Sequence, residues 1–173
     1  MRTLILGALL AAPLSAQTFG SISAGGAQFD LSGTGTAFVA DARVVHFINR
    51  NVAVEGGLAL SPVSEQFREV TYLLPSAELQ VGTTIRDAIR PYLGAGLGAF
   101  FPISDDGTPT RGFVNFDPTA EAALTLSAGV DAGVTDSVIL RVTGRLRGTL
   151  GEGPDVFVGT FAELTGGLGV RIN

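Results

Sequence analysis

Residues 141–147 read RVTGRLR. Three arginines, Arg141, Arg145 and Arg147, occupy odd positions, while Val138, Leu140, Val142, Gly144, Leu146 and Leu150 occupy the even positions within and around them. A period of two is the signature of a β-strand with chemically distinct faces. One face of this strand is oily, and the other carries a column of permanent positive charge. Whatever meets that column decides the fold.

Reading outward from this stretch, the same alternation recurs along the chain, broken by clusters of Gly, Pro, Asp and Asn. Eight strands are predicted, over 18–31, 35–48, 52–61, 70–81, 89–101, 119–133, 138–150 and 156–172. Most exceed the ~5–6 residues usual in soluble sheets and suit the ~9–11 residues of a tilted membrane-spanning strand. The first is the least regular, and its phase slip near Gly25-Gly26 predicts a bulge. Tight turns fall at 49–51 and 135–137, with a modest one at 82–88. The connections 62–69, 102–118 and 151–155 are mostly longer, whereas Ser32-Gly33-Thr34 makes a short first hairpin.

Sorted by face, the strands place Phe38, Val44, Val54, Leu58, Leu79, Leu93, Leu97, Leu126, Leu164 and Leu168 on one side. The other side holds six acids (Asp41, Glu55, Glu78, Glu121, Asp131 and Glu163) and six arginines (Arg43, Arg90, Arg141, Arg145, Arg147 and Arg171). Alternation alone does not say which face is inside, since a soluble ligand-binding barrel points its apolar face inward and a membrane barrel points it outward. Three features favour the membrane. The polar face is sparsely charged and contains no lysine, unlike a soluble exterior. Its remaining positions are mainly Gly, Ala, Ser and Thr, as the narrow interior of an eight-stranded barrel requires. Its charges also balance, as a closed lumen demands. The expected fold is an all-β, eight-stranded antiparallel up-and-down transmembrane barrel, apolar face outward, with an arginine/carboxylate-filled lumen.

Hairpin counting converts the turns into pairs. Asp131 is predicted opposite Arg141, and Gln80 opposite Arg90 with Glu78 diagonal to it. Glu55 is expected diagonal to Arg43, and Glu163 diagonal to Arg141 and Arg145. Opposite and diagonal same-face neighbours are within reach of long side chains.

The composition bounds the rest. The chain has 173 residues, a net charge of −5, no cysteine and 24 glycines. One domain is expected. Disulfides and cysteine chemistry are excluded, and the acidic balance argues against a nucleic-acid partner. Residues 1–16, MRTLILGALLAAPLSA, read as a secretory signal with Arg2 as charged lead and an apolar core, cleaved before Gln17. The barrel domain then spans 17–173.

At this point the chain resembles the small eight-stranded outer-membrane β-barrels, similar to the outer-membrane protein A transmembrane domain and its relatives. The resemblance is carried by the signal sequence, by RPYLGAGLGAFFP at 90–102, and by the last strand, TGGLGVRI at 165–172. In that strand Ile172 stands where the assembly signal of the class has a terminal aromatic. The resemblance implies export by the Sec pathway, insertion by the barrel-assembly machinery, and residence in the outer membrane of a diderm bacterium as a monomer surrounded by lipid.

Few residues suggest chemistry. Gly94, Gly96 and Gly98 formally match a dinucleotide fingerprint, but that motif must open a helix, and here it lies within a strand. His46, the single histidine, falls on the apolar face near the 49–51 turn and reads as an interfacial polar residue; a lipid-modifying enzyme would use it with serine and carboxylate partners. The outward loops carry Asp30, Glu65, Glu69, Asp105, Asp106, Asp117, Glu152 and Asp155 against Arg68 and Arg111, an acidic rim. Asp105-Asp106 lacks calcium-loop spacing. Loop 102–118 carries Phe113, Val114 and Phe116, a candidate surface for an extracellular partner. No catalytic residue, cofactor or metal is expected. The function expected is structural or surface-interacting, with a narrow porin-like channel as the alternative and a lipid-modifying barrel enzyme as the third reading.

Overall fold

The computed structural model describes residues 17–29, 35–65, 68–85, 88–105, 121–150 and 157–172. Residues 1–16, with the expected signal sequence, and most of the loop at 102–118 lie outside the described residues. Eight strands follow one another: β1 (Thr18–Phe29), β2 (Gly35–Phe47), β3 (Val52–Glu65), β4 (Arg68–Gly82), β5 (Ile89–Asp105), β6 (Glu121–Gly133), β7 (Val138–Leu150) and β8 (Phe157–Ile172). Each pairs antiparallel with its sequence neighbour, and β8 returns to β1, closing the barrel. Closure leaves no unpaired sheet edge, the condition for crossing a bilayer with strands.

The alternation reads directly as inside and outside. Along β6, Ala123, Thr125, Ser127 and Asp131 are buried while Leu124, Leu126 and Val130 face out. Ile22, Leu93, Leu97, Leu126 and Leu164 are each around 60–70% exposed, whereas Arg141, Arg145 and Arg147 are at most 3% exposed. This inverts the partition of a soluble protein, in which charges are almost never buried and large exposed apolar surfaces are rare. The apolar belt is a lipid-facing surface, and the fold is that of a transmembrane barrel.

Two tight turns fix the register at one end. The Asn49 side-chain oxygen accepts the backbone N–H groups of Asn51 and Val52, each at 2.9 Å, and the Thr135 hydroxyl accepts those of Ser137 and Val138 at 3.2 and 3.1 Å. These side chains satisfy amides that the ladder leaves free, and they hold the three-residue reversals.

Two expectations need correction. β1 has no bulge at Gly25-Gly26; its register to β2 and β8 runs unbroken from Thr18 to Phe29. Gly25 instead answers crowding, since a Cβ there would overlap the Leu164 carbonyl of the adjoining strand. Register shifts lie at Thr71/Tyr72 in the β4–β5 pair and at Gly148/Leu150 in the β7–β8 pair. Finally, Gln80 pairs with Gly94 rather than Arg90, because the β4–β5 ladder continues past the apparent turn to an Ile85–Ile89 bridge.

Candidate functional site

The lumen gathers the chain's distinctive chemistry. Among the described residues its buried charges are Asp41, Glu55, Glu78, Asp131 and Glu163 with Arg43, Arg90, Arg141, Arg145 and Arg147: five of each sign, supplied by every strand except β1. Formal neutrality is what permits so many ions in a sealed interior, where an unmatched one would carry a desolvation penalty of several kcal/mol.

At the tight-turn end, Phe19 and Phe47 meet edge to face with centroids 5.8 Å apart. The Arg90 guanidinium lies over the Phe47 ring at 4.7 Å. Above them Asp131 sits directly opposite Arg141, as the turn at 135–137 predicts. Arg141 donates to both its oxygens, from Nε at 2.7 Å and Nη2 at 3.1 Å, the bidentate fork that arginine presents to carboxylates. Arg90, directly opposite Asp131 on its other flank, adds a third contact at 3.3 Å and also reaches Gln80 Oε1 at 3.3 Å.

The middle of the barrel holds Glu55 and Glu78 directly opposite one another on β3 and β4. Two like charges in that relation repel unless cations intervene. Arg145 intervenes: Nε donates to Glu78 at 2.6 Å, Nη2 to Glu55 at 2.8 Å and Nη1 to Glu163 at 2.6 Å, so one side chain ties β7 to β3, β4 and β8. Glu55 also accepts from Arg141 Nη1, Gln80 Nε2 at 2.7 Å and Arg43 Nη1 at 3.2 Å. Glu78 accepts from Ser127 at 2.6 Å. The diagonal Glu55–Arg43 relation follows the expected count.

Glu163 is directly opposite Arg145, with Arg147 rather than Arg141 as its diagonal arginine partner. Arg147 donates to it from Nη2 at 3.2 Å and Nε at 3.3 Å. The simple hairpin count places Glu163 diagonal to Arg141 and Arg145; the observed ladder is shifted from that count by two residues, one at the Gly148/Leu150 irregularity and one already present where Leu150 pairs with Phe157. Asp41 closes the ladder, 3.5 Å from Arg43 Nε.

Two charged residues of the polar face lie at the two ends of the barrel. Arg171 has lumenal parity but lies exposed at the barrel mouth, its guanidinium 5.7 Å from the Phe19 ring centroid. Glu121 begins β6 at the opposite end, half-buried and paired in register with Phe100. Alternation assigns a face and says nothing of depth, and this is why the sequence groups Arg171 with the ladder.

Toward the long-loop end the lumen turns apolar, which sequence reading missed. Val39, Leu74, Tyr72, Phe100 and Phe161 form a buried cluster with Ala27, Ala59 and Ala123. Phe100 meets Tyr72 and Phe161 edge to face at 6.3 and 6.1 Å. The signal was present: Phe100 keeps phase with Tyr92, and Phe161 with Glu163. The glycines 94, 96 and 98 face the same lumen, and a Cβ on Gly96 would overlap the Ala77 carbonyl. They are close-approach positions, not a phosphate loop.

His46 is on the outer face, exposed, its Nδ1 3.0 Å from the Thr18 hydroxyl. Its partner is thus a threonine rather than a carboxylate. Among the described residues no group of three or more acidic, histidine or cysteine side chains is arranged to hold a metal ion. Phe113, Val114 and Phe116 lie outside the described residues.

No family model matches the chain, and no curated protein matches it in sequence. Solved structures do. Neisserial surface protein A is similar over 90% of this chain and 97% of that one, at 19% identity and a TM-score of 0.72. The N-terminal β-barrel domain of OprF from Pseudomonas aeruginosa is similar over 91% of this chain and 100% of that one, at 16% identity and 0.61. Ail, the attachment invasion locus protein of Yersinia pestis, solved with the heparin analogue sucrose octasulfate, is similar over 92% and 100%, at 12% identity and 0.58. The chain therefore has the fold of the small eight-stranded outer-membrane β-barrels, as its resemblance to that class implied.

Proposed function

We propose that the protein is a non-enzymatic integral outer-membrane barrel whose lumen is a structural filling and whose interactions take place at its surface. The observation that carries this reading is the double obstruction of the lumen. A neutral ladder of ten buried charged side chains occupies the middle, and a packed aromatic cluster lies between it and the long-loop end. Ions would have to displace both. The pairing of His46 with Thr18 speaks against a lipid-modifying catalytic set.

Surface work falls to the loops. By sequence, the long connections and the strand ends that lead into them carry eight acids against two arginines, a balance that favours cations and basic segments and disfavours polyanions. Ail was solved with a sulfated heparin analogue; the acidic rim here favours the opposite sign of partner. Loop 102–118, with Phe113, Val114 and Phe116, is the proposed contact surface for an extracellular protein.

Reconstitution in planar bilayers tests the central claim. The expected result is no reproducible conductance step from protein that shows a heat-modifiable band and fractionates with the outer membrane. Reproducible single-channel openings would establish the porin-like reading instead.

A further inference from the structure

Several lumenal polar atoms have no hydrogen-bond partner, and most of them group into two spots. At the first, Ser21 stands directly opposite Arg43, and Ser23 opposite Asp41, across the β1–β2 ladder. Among the described residues Ser21 Oγ, Asp41 Oδ1 and Arg43 Nε and Nη2 are all buried without a hydrogen-bond partner, Arg43 Nε lying 3.5 Å from Asp41 Oδ2 and Nη2 4.0 Å from Glu163 Oε1, ion-pair contacts too long for hydrogen bonds. At the second, Thr125 stands directly opposite Arg147 on β6 and β7, and Thr125 Oγ1 and Arg147 Nη1 are likewise buried and unpaired. All five residues are at least nine-tenths buried.

The cause is the same in both places. Each arginine extends away from its cross-strand hydroxyl toward a carboxylate: Arg43 Nη1 to Glu55, and Arg147 Nε and Nη2 to Glu163. The guanidinium has more donors than those carboxylates use, and the leftover N–H groups belong to side chains directly across the ladder from a hydroxyl that is itself without a partner. Buried polar groups left in this condition are costly, and natural interiors rarely keep them.

We infer that each spot is a built hydration site, in which an ordered internal water bridges the unused guanidinium N–H to the unused hydroxyl, joined at the first spot by Asp41. The chemistry selects water over an ion. A cation would face the guanidinium donors, and an anion at the first spot would face Asp41. At the second spot an anion could accept from both groups but would add an unmatched charge to a neutral ladder; a small neutral molecule that donates and accepts satisfies the partners at both spots without that cost. The water would complete the ladder on the two flanks where side chains fall short, and this holds whether or not the lumen conducts.

The sign of one substitution decides the matter. Thr125→Val replaces the hydroxyl with a methyl of similar volume. If the site is hydrated, the variant loses the bridge, and the folded-to-unfolded ratio in urea titrations from lipid vesicles falls by about fivefold. Ser21→Ala should act in the same direction. If the site is dry, removing an unpaired hydroxyl leaves the ratio unchanged or raises it, which overturns the inference. The wild-type protein supplies an independent readout: a high-resolution crystal structure should show density bridging Arg147 Nη1 to Thr125 Oγ1, and a direct Arg147–Thr125 hydrogen bond in its place would also overturn it.

Discussion

Glu55 is the residue on which the ladder turns, and Glu55→Gln is the sharpest single perturbation of it. The carboxylate is fully buried and accepts from three arginines, Arg43, Arg141 and Arg145, and from Gln80. Glutamine keeps the volume and one acceptor oxygen. Its NH2 group, however, confronts donors on either side, and the buried set passes from five acids and five arginines to a net charge of +1. Removing one partner of a buried ion pair costs about 3–5 kcal/mol, because the remaining charge is stranded. With three arginines sharing the loss, about 4 kcal/mol is expected, close to a thousandfold in the unfolding constant. The assay is reversible urea unfolding from phospholipid vesicles. The chain has no tryptophan, so far-UV circular dichroism and heat-modifiable electrophoretic mobility would report it. Arg171→Gln is the control: that side chain is exposed at the mouth, and its cation–π contact with Phe19 is worth about 0.5–1 kcal/mol. A Glu55→Gln cost no greater than that of Arg171→Gln would refute the claim that the ladder is a mutually dependent set.

Two further outcomes follow from the walls of the barrel. Gly96→Ala should lose folded, heat-modifiable protein, since its Cβ would run into the Ala77 carbonyl and force β4 from β5, at a cost of about 2 kcal/mol or more. Gly56→Ala, where a Cβ would meet nothing within 4 Å, should be neutral or stabilise by up to about 1 kcal/mol in the same titration. Leu126→Arg, at a position 59% exposed in the apolar belt, should destabilise the barrel in vesicles by about 2–4 kcal/mol. A harmless Leu126→Arg would mean that the belt does not face hydrocarbon.

The sequence made the barrel legible because two signals agreed: the pleat sorted the strands into two faces, and short turns at 49–51 and 135–137, capped by Asn49 and Thr135, set the register at one end. The Asp131–Arg141 pair was readable because the turn at 135–137 is closed by Thr135 and leaves no freedom in the count. The Gln80–Arg90 pairing failed because a ladder continues wherever backbone groups can still pair, even through residues of turn-like composition. The Glu163 count was off by two residues, one at the Leu150–Phe157 end of the hairpin and one at a bulge that has no composition of its own here. The contacts of Arg145 and Arg141 with Glu55, 90 and 86 residues away, lay beyond hairpin counting. Such counting yields neighbours along the sheet, whereas these contacts span the lumen. Depth was equally invisible, so Arg171 was assigned inward although its position at the mouth leaves it in the open.

Those cross-lumen contacts bear on how the chain enters a bilayer. On a flat or half-curled sheet, β3 and β7 are four strands apart and Glu55 meets neither Arg141 nor Arg145. Ten ionised groups would then line a face open to hydrocarbon or to trapped water. An inserted but unclosed intermediate is therefore penalised by the same ions that stabilise the finished barrel. Curling, charge pairing and passage into the membrane are bound into a single cooperative event, whose rate should slow with any change that delays the meeting of β3 with β7.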